Sequence, residues 1–171
     1  MGADQFVFTS GLTIDTVTDF TAAQGDVAAF SLGALQTAGA VIAATTLDFV
    51  LGSNGSVVAG GPISVQVIAG AITILAATNV FNYTTTAVAN AAALETALEA
   101  TNITTDGALT LNDSFLIQYT TGAGVQNLGV ATITAATVGG ALVGTNWDVT
   151  DIASLTGGIA DLAAAQYAFI A

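Results

Sequence analysis

Short apolar runs, separated by Gly, Asn, Ser or Asp, recur along most of this chain. The segment 64–67, Ser-Val-Gln-Val, shows the alternation of polar and apolar residues that a strand with one buried face requires. Runs of this length between turn residues predict many short strands. The predicted strands cover residues 5–8, 13–20, 27–32, 45–51, 57–59, 63–68, 71–76, 108–111, 114–120, 125–134 and 147–152.

Two segments interrupt the strand pattern. Residues 87–100 read AVANAAALETALEA, a run of strong helix formers with its larger apolar residues on one face, and Thr85 or Thr86 can cap its start. Residues 159–165 predict a short C-terminal helical turn. We therefore expect a mainly β protein: a β-sandwich or β-roll-like single domain over residues 1–171, with one inserted α-helix packed on a sheet.

The charge balance narrows the possible functions. The 171 residues include no Lys, Arg, His or Cys, while twelve Asp and Glu give a net charge of −12. Without Lys or Arg, no side chain can neutralise nucleic-acid phosphates, so nucleic acid is not an expected partner. Without His, Lys or Cys, the usual nucleophilic triads and His/Cys zinc sites cannot be built. We expect no enzymatic activity and no catalytic residues.

A membrane span is not expected either. The most apolar stretch, residues 65–81, is interrupted by Gln66, Gly70 and Thr73. It falls short of the roughly 20 predominantly apolar residues that a transmembrane helix needs.

The acidic residues are densest near the N-terminus, where Asp4, Asp15, Asp19 and Asp26 lie. Carboxylates and turn carbonyls are the ligands that Ca²⁺ selects, so these four residues are candidate ligands. Asp15 and Asp19 share one face of an extended strand but lie about 13 Å apart along it, so one ion needs a bend or a second strand to reach both. A calcium site and a set of solvated turn residues both fit this pattern.

The N-terminal segment resembles part of a known family. Residues 2–8, GADQFVF, resemble the end of the RTX nonapeptide repeat, G-G-x-G-x-D-x-U-x, with Asp4 at the liganding position and Phe6 at the apolar one. The segments 14–20, IDTVTDF, and 24–27, QGDV, resemble the region that follows the last repeats. The resemblance implies an RTX-like segment over residues 1–35, with bound Ca²⁺.

The C-terminal part resembles the same class of secreted proteins. Residues 111–119, LNDSFLIQY, resemble a strand of the C-terminal domains of type I secreted proteins. The segment 155–171 resembles their uncleaved secretion signals. The matching residues are Asp161, Tyr167, Phe169, Ile170 and Ala171. The resemblance implies an extracellular or cell-surface location and the type I secretion machinery as a partner.

These observations favour a secreted structural protein that self-assembles into a filament or surface layer through β-strand contacts. Its partner is a further copy of itself. The expected assembly surface is Phe6, Val7 and Phe8, with the C-terminal residues 167–170 as a second candidate surface, in a chain without the Lys residues that guard strand edges. The alternative is a calcium-responsive folding and type I secretion module at the C-terminus of a larger RTX adhesin or hydrolase. A third possibility, a cytoplasmic protein of a high-salt organism, fits poorly because only 7% of the residues are charged.

Overall fold

The structure is a computed structural model. It describes residues 2–9, 13–33, 35, 48–49, 58–75, 77–105, 113–122, 124–134, 141–142, 147–156 and 161–171. The strand predicted at 108–111, the ends of the one predicted at 45–51, and residues 57 and 76 lie outside these ranges. The strand predicted at 57–59 is wrong for its described residues 58 and 59, which form no strand.

The described residues are mainly β, as the sequence predicts. The strands are β1 Gln5–Phe8, β2 Asp15–Val17, β3 Val27–Ser31, β4 Asp48–Phe49, β5 Val65–Ile68, β6 Ile72–Ile74, β7 Val80–Tyr83, β8 Ile103–Thr105, β9 Asp113–Gly122, β10 Val125–Ile133, β11 Ala141–Leu142, β12 Trp147–Leu155 and β13 Tyr167–Ile170. Helix α1 spans Ala91–Glu99, and 3₁₀ turns span Ala22–Gln24 and Ala164–Gln166. The second 3₁₀ turn lies at the end of the helical turn predicted over 159–165.

A mixed central sheet organises the fold, with the strand order β2-β12-β10-β9-β7-β5. The long strands β9, β10 and β12 pair antiparallel, whereas β5, β7 and β9 run parallel. The short strand β4 pairs with the start of β9. Because β5 and β2 are the outermost strands, they form the two edges of this sheet.

Between β5 and β9 the chain alternates between two sheets. Strands β5, β7 and β9 are parallel neighbours in the central sheet, and the intervening β6 and β8 are parallel neighbours in a smaller sheet of order β11-β8-β6. Parallel strands need a crossover connection rather than a hairpin, and here each crossover passes through the other sheet. This coiling is the roll-like part of the fold.

Both ends of the chain meet in a third sheet, of order β1-β3-β13. All of its pairings are parallel: Phe8 lies opposite Phe30, and Phe30 lies opposite Phe169 on the other side. The N-terminal and C-terminal strands are therefore the two edges of this sheet.

The three sheets and α1 build a layered core on both faces of the central sheet. On one face, Phe8, Phe30 and Phe169 of the terminal sheet pack with Leu116 and Leu128. On the opposite face, Leu94 and Leu98 of α1 lie in a cluster with side chains of β6, β8, β9 and β12. Burying a Leu side chain contributes about 1.5–3 kcal/mol, so these two residues account for the docking of α1.

The helix begins later than the sequence indicates. Its N-cap is Asn90, whose side-chain oxygen accepts a hydrogen bond from the N–H of Ala93 at 3.0 Å. The predicted start at residue 87, with a Thr85 or Thr86 cap, is wrong. The preceding segment bends and is attached to β9, since the N–H of Val88 donates to the carbonyl of Thr120. Within the part of the chain that the structure describes, no helix is long and apolar enough to cross a membrane.

Candidate functional site: the open strand edges

The outermost strands of the three sheets differ in how their outward backbone groups are satisfied. An edge strand with free N–H and C=O groups is a template for pairing with another chain. On β13, the carbonyl of Phe169 accepts from the N–H of Gly60 at 2.9 Å. On β6, the carbonyl of Thr73 accepts from Nε2 of Gln66 at 2.6 Å. The other outer strands are protected by charge or by length: β2 carries the charged Asp15, and β4 and β11 are only two residues long.

Strand β1 has an open edge. The N–H of Val27 donates to the carbonyl of Asp4 at 2.9 Å, which shows which backbone groups of β1 face β3 in the parallel pairing. Backbone groups alternate in direction along a strand, so those of Gln5 and Val7 point away from β3. No group in the described part of the chain makes a hydrogen bond to these outward N–H and C=O groups. The side chain of Val7 is 47% exposed.

Strand β5 has an equivalent edge. Ser64 and Ile68 offer their carbonyls to the β7 side, where the N–H groups of Val80 and Thr84 donate to them at 3.1 and 2.9 Å. The backbone groups of Val65 and Val67 therefore point outward, and among the described residues they have no hydrogen-bond partner. The side chain of Val67 is 49% exposed. Each of these two edges thus presents two N–H and two C=O groups.

The buried carboxylate of Asp26 holds the start of β1 in place. Asp26 is 3% exposed; its Oδ1 accepts from the N–H of Asp4 at 2.9 Å and its Oδ2 accepts from the N–H of Thr21 at 2.7 Å. Because both oxygens are engaged, Asp26 anchors the residue before β1. Aromatic contacts continue the attachment, since the rings of Phe8 and Phe30 stack with centroids 4.9 Å apart.

The structure separates the three residues predicted for assembly. The side chain of Phe8 is buried in the core, and Phe6 is half-buried against Phe20, with ring centroids 5.6 Å apart. Only Val7 projects into solvent. On β1 a partner would therefore meet the backbone edge and the Val7 side chain.

The four candidate calcium ligands are not drawn into one cluster. Asp4 and Asp19 are exposed, Asp15 lies on β2 opposite Ala153, and Asp26 is buried between two backbone N–H groups. Among the described residues, no three carboxylates come together in a group that could hold a metal ion. Calcium binding by these residues stays a prediction.

The residues that match a secretion signal are incorporated into the fold. Tyr167 and Phe169 are buried, Ile170 is half-buried, and Asp161 and Ala171 are exposed. Burial, together with the charge of Asp161, raises the pKa of Tyr167, so its hydroxyl stays protonated. A secretion apparatus would reach these buried side chains only before the chain folds.

Helix α1 covers the first half of β12. Oε1 of Glu95 accepts from the N–H of Val149 at 2.8 Å, at a point where β2 does not pair with β12. Burial raises the pKa of Glu95; the Val149 bond lowers it, and the charges of Asp148 and Glu99 raise it again. Burial also raises the pKa of Asp148. This helix therefore closes a third edge that would otherwise be open.

A hydrogen-bonded network of three polar side chains joins the long strands β9, β10 and β12. The hydroxyl of Tyr119 lies 2.8 and 2.9 Å from the two carboxylate oxygens of Asp151, and Nδ2 of Asn127 lies 3.0 Å from that hydroxyl. Burial raises the pKa of Asp151, and the bonds from Tyr119 and Asn127 lower it. The carboxylate is engaged by its neighbours on β9 and β10, so its function here is to tie the sheet together.

Comparison with protein-family models, with curated proteins and with solved structures found no match for this chain. Functional inference therefore depends on the geometry of the described residues. The β1 edge follows from a segment that the sequence singles out. The β5 edge was missed, although the alternation in residues 64–67 is a signal for a half-buried strand, because alternation does not reveal which strand lies outermost.

Proposed function

We propose that this protein is a secreted, extracellular structural protein that self-assembles through its strand edges into a filament or surface layer. The observation that carries the proposal is the open edge of β1, where the backbone groups of Gln5 and Val7 face outward and have no hydrogen-bond partner in the part of the chain that the structure describes. Main-chain hydrogen bonds to such an edge are a recurring mode of protein association.

The distribution of charge supports association at this edge. The chain carries twelve acidic side chains and no Lys or Arg, so two copies repel over most of their surfaces. Strand β1, with the sequence QFVF, contains none of those charges. It also lacks the Lys, Pro or bulge by which many proteins block an edge.

The composition supports an extracellular location. A chain without Lys or Arg contains no cleavage site for trypsin-like proteases. Resistance of this kind suits a polymer that is exposed outside the cell. The resemblance of residues 155–171 to type I secretion signals is in accord with export.

The proposal is tested by blocking the β1 edge. Val7→Lys places a charge on the edge and is expected to lower the mass of the assembly, because a second strand would have to bury that ammonium group. Light scattering and negative-stain electron microscopy measure the result. The matched control is Ala92→Lys on the exposed face of α1, which changes the net charge equally and should assemble normally. Unmutated protein that stays monomeric at high concentration with millimolar Ca²⁺ would refute the proposal.

The alternative proposal is a calcium-responsive folding and secretion module of a larger RTX protein. It is favoured by the burial of Tyr167 and Phe169. A secretion apparatus could bind these side chains in the unfolded chain but not after they are buried in the fold. A ligand that binds only the folded state stabilises it, so Ca²⁺ should raise the melting temperature in this case. A melting curve that is the same in Ca²⁺ and in excess chelator would exclude it.

A further inference from the structure

We propose that the open edge of β1 in one copy pairs antiparallel with the open edge of β5 in the next copy. This inference rests on the proposed self-assembly and identifies the segment that receives β1. It joins the terminal sheet of one molecule to the central sheet of its neighbour.

The other described edges are less suited to receive β1. The outward carbonyls of Phe169 on β13 and Thr73 on β6 already accept hydrogen bonds. Strand β2 carries Asp15, whose charge would have to be brought against another acidic chain. Strands β4 and β11 are only two residues long, and short edge strands offer little to pair with. Strand β5, with the sequence VQVI, is uncharged and open.

The spacing of the outward groups favours the antiparallel direction. The outward residues are two apart on both strands: Gln5 and Val7 on β1, and Val65 and Val67 on β5. In the hydrogen-bonded pairs of an antiparallel ladder, which are formed by residues whose backbone groups face each other, the two opposed residues exchange both of their N–H···O=C bonds. Pairing Gln5 with Val67 and Val7 with Val65 therefore satisfies all eight outward N–H and C=O groups. In a parallel pairing, each residue instead bonds to the residues before and after the one opposite it. Two outward residues on each strand are then too few to satisfy all eight groups, and some N–H and C=O groups stay unbonded.

Side chains and charge agree with this register. It brings Val7, which is 47% exposed, beside Val65, and Gln5 beside Val67, which is 49% exposed. Two exposed valines thereby lose contact with water, and neither strand contributes a charge to the junction.

The pairing also explains how assembly could continue beyond two copies. A contact between two different patches of the same protein is heterologous and repeats indefinitely unless the rotation closes a ring. Pairing of β1 with β1 would instead be isologous and would end at a dimer. A filament or layer requires the heterologous arrangement or a second contact.

The chain contains no Cys, so single cysteines report the pairing directly. Gln5→Cys and Val67→Cys are prepared separately, mixed under assembly conditions and oxidised. Both side chains are exposed, so both variants should fold, which circular dichroism verifies. The opposed Cα atoms of a hydrogen-bonded antiparallel pair lie about 5.5 Å apart, within the range of a disulfide. We expect a mixed cross-linked dimer that is absent when Ala92→Cys replaces Val67→Cys.

Two results would overturn this pairing. A disulfide between Gln5→Cys and Val7→Cys, without one to Val67→Cys, would show that β1 pairs with β1. Assembly that proceeds normally with no cross-link in either mixture would place the contact elsewhere and leave self-assembly intact. If the unmutated protein remains monomeric in parallel samples, self-assembly itself fails, and the pairing fails with it.

Discussion

The hydroxyl of Tyr167 lies 2.9 Å from Oε1 of Gln118, joining the C-terminal strand β13 to the middle of the central sheet. The same hydroxyl lies 3.1 Å from Oδ1 of Asn82, and Gln118 Oε1 also accepts from the N–H of Leu162 at 2.9 Å. Nδ2 of Asn82 donates to the carbonyl of Leu162 at 2.7 Å. All four residues are buried, so these polar groups depend on one another for hydrogen bonds.

Removing the Tyr167 hydroxyl should destabilise the protein. Tyr167→Phe removes the one hydroxyl hydrogen within reach of both Asn82 Oδ1 and Gln118 Oε1 in a buried site, where an unsatisfied polar group costs about 1–3 kcal/mol. We expect the free energy of unfolding, measured by urea denaturation, to fall by an amount in this range. Tyr83→Phe is the matched control, because Tyr83 is also buried but its hydroxyl makes no hydrogen bond within the described residues. Equal losses in the two variants would contradict the assigned role of the network.

Replacing Asp26 should loosen the N-terminal strand. In Asp26→Asn one carboxylate oxygen becomes an NH₂ donor that faces the N–H of Asp4 or Thr21, so one backbone donor loses its acceptor. The expected loss of unfolding free energy is again about 1–3 kcal/mol. Hydrogen exchange should show faster exchange in β1. Asp19→Asn, at an exposed position, provides the charge-matched control and should leave β1 protected. Unchanged protection in Asp26→Asn would contradict the anchoring role.

Stability should increase as the pH falls from neutral towards the unfolded pKa values of the three acids Glu95, Asp148 and Asp151. The pKa values of Glu95, Asp148 and Asp151 are raised by burial, so the folded state binds protons that the unfolded state releases. Stabilisation from such groups is complete below the unfolded pKa values, near 3.8 for Asp and 4.5 for Glu, and is lost as the pH rises through the folded values. The melting temperature measured across this range checks the sign.

One substitution isolates the contribution of Glu95. Glu95→Gln keeps an oxygen that can accept from the N–H of Val149 but removes the buried charge and its repulsion from Asp148. We expect a higher melting temperature at pH 7 and a weaker dependence on pH. Asp19→Asn should change both quantities less, because Asp19 is exposed. An Asp19→Asn effect as large as that of Glu95→Gln would point to general charge repulsion instead.

Gly129 should not tolerate a side chain. It lies at the irregularity between Leu128 and Gly129 in the β10–β12 pairing, where a Cβ atom would come within 2.7 Å of the carbonyl oxygen of Thr150. Overpacking of this kind costs about 1–3 kcal/mol, which urea denaturation of Gly129→Ala would measure. Gly33→Ala, whose added Cβ would meet the Ser31 hydroxyl at 3.6 Å and no closer atom of the described residues, should cost less. A larger loss in Gly33→Ala would contradict this assignment.

Local sequence pattern predicted strands that form apolar runs between turn residues. Strand β1 has the predicted bounds, and β3, β9, β10 and β12 overlap their predicted ranges closely. Strand β7, Val80–Tyr83, was not predicted, since Asn82 interrupts its apolar residues and its place in the sheet depends on pairing with β5 and β9. The helix cap was misplaced because Thr85, Thr86 and Asn90 are all competent caps, and the link from Val88 to Thr120 decides among them.

In the candidate site, too, the local sequence predicted some features and tertiary contacts determined the others. The sequence identifies residues 6–8 as an apolar terminal strand, but the pairing with β3 determines that Phe8 faces the core while the backbone of Val7 faces outward. Likewise, four carboxylates near the N-terminus indicate a cation site, whereas the tertiary structure turns Asp26 onto two backbone N–H groups.

By itself the sequence determined that this protein is mainly β, carries an amphipathic helix before β8 and has no cationic side chain for catalysis or nucleic-acid binding, because these properties depend on composition and local periodicity. Only the tertiary structure decided which strands lie outermost and which edges are capped. Those features depend on contacts between distant residues, such as Gly60 with Phe169 and Glu95 with Val149. An open edge is defined by the absence of a neighbouring strand, and no local pattern encodes a neighbour.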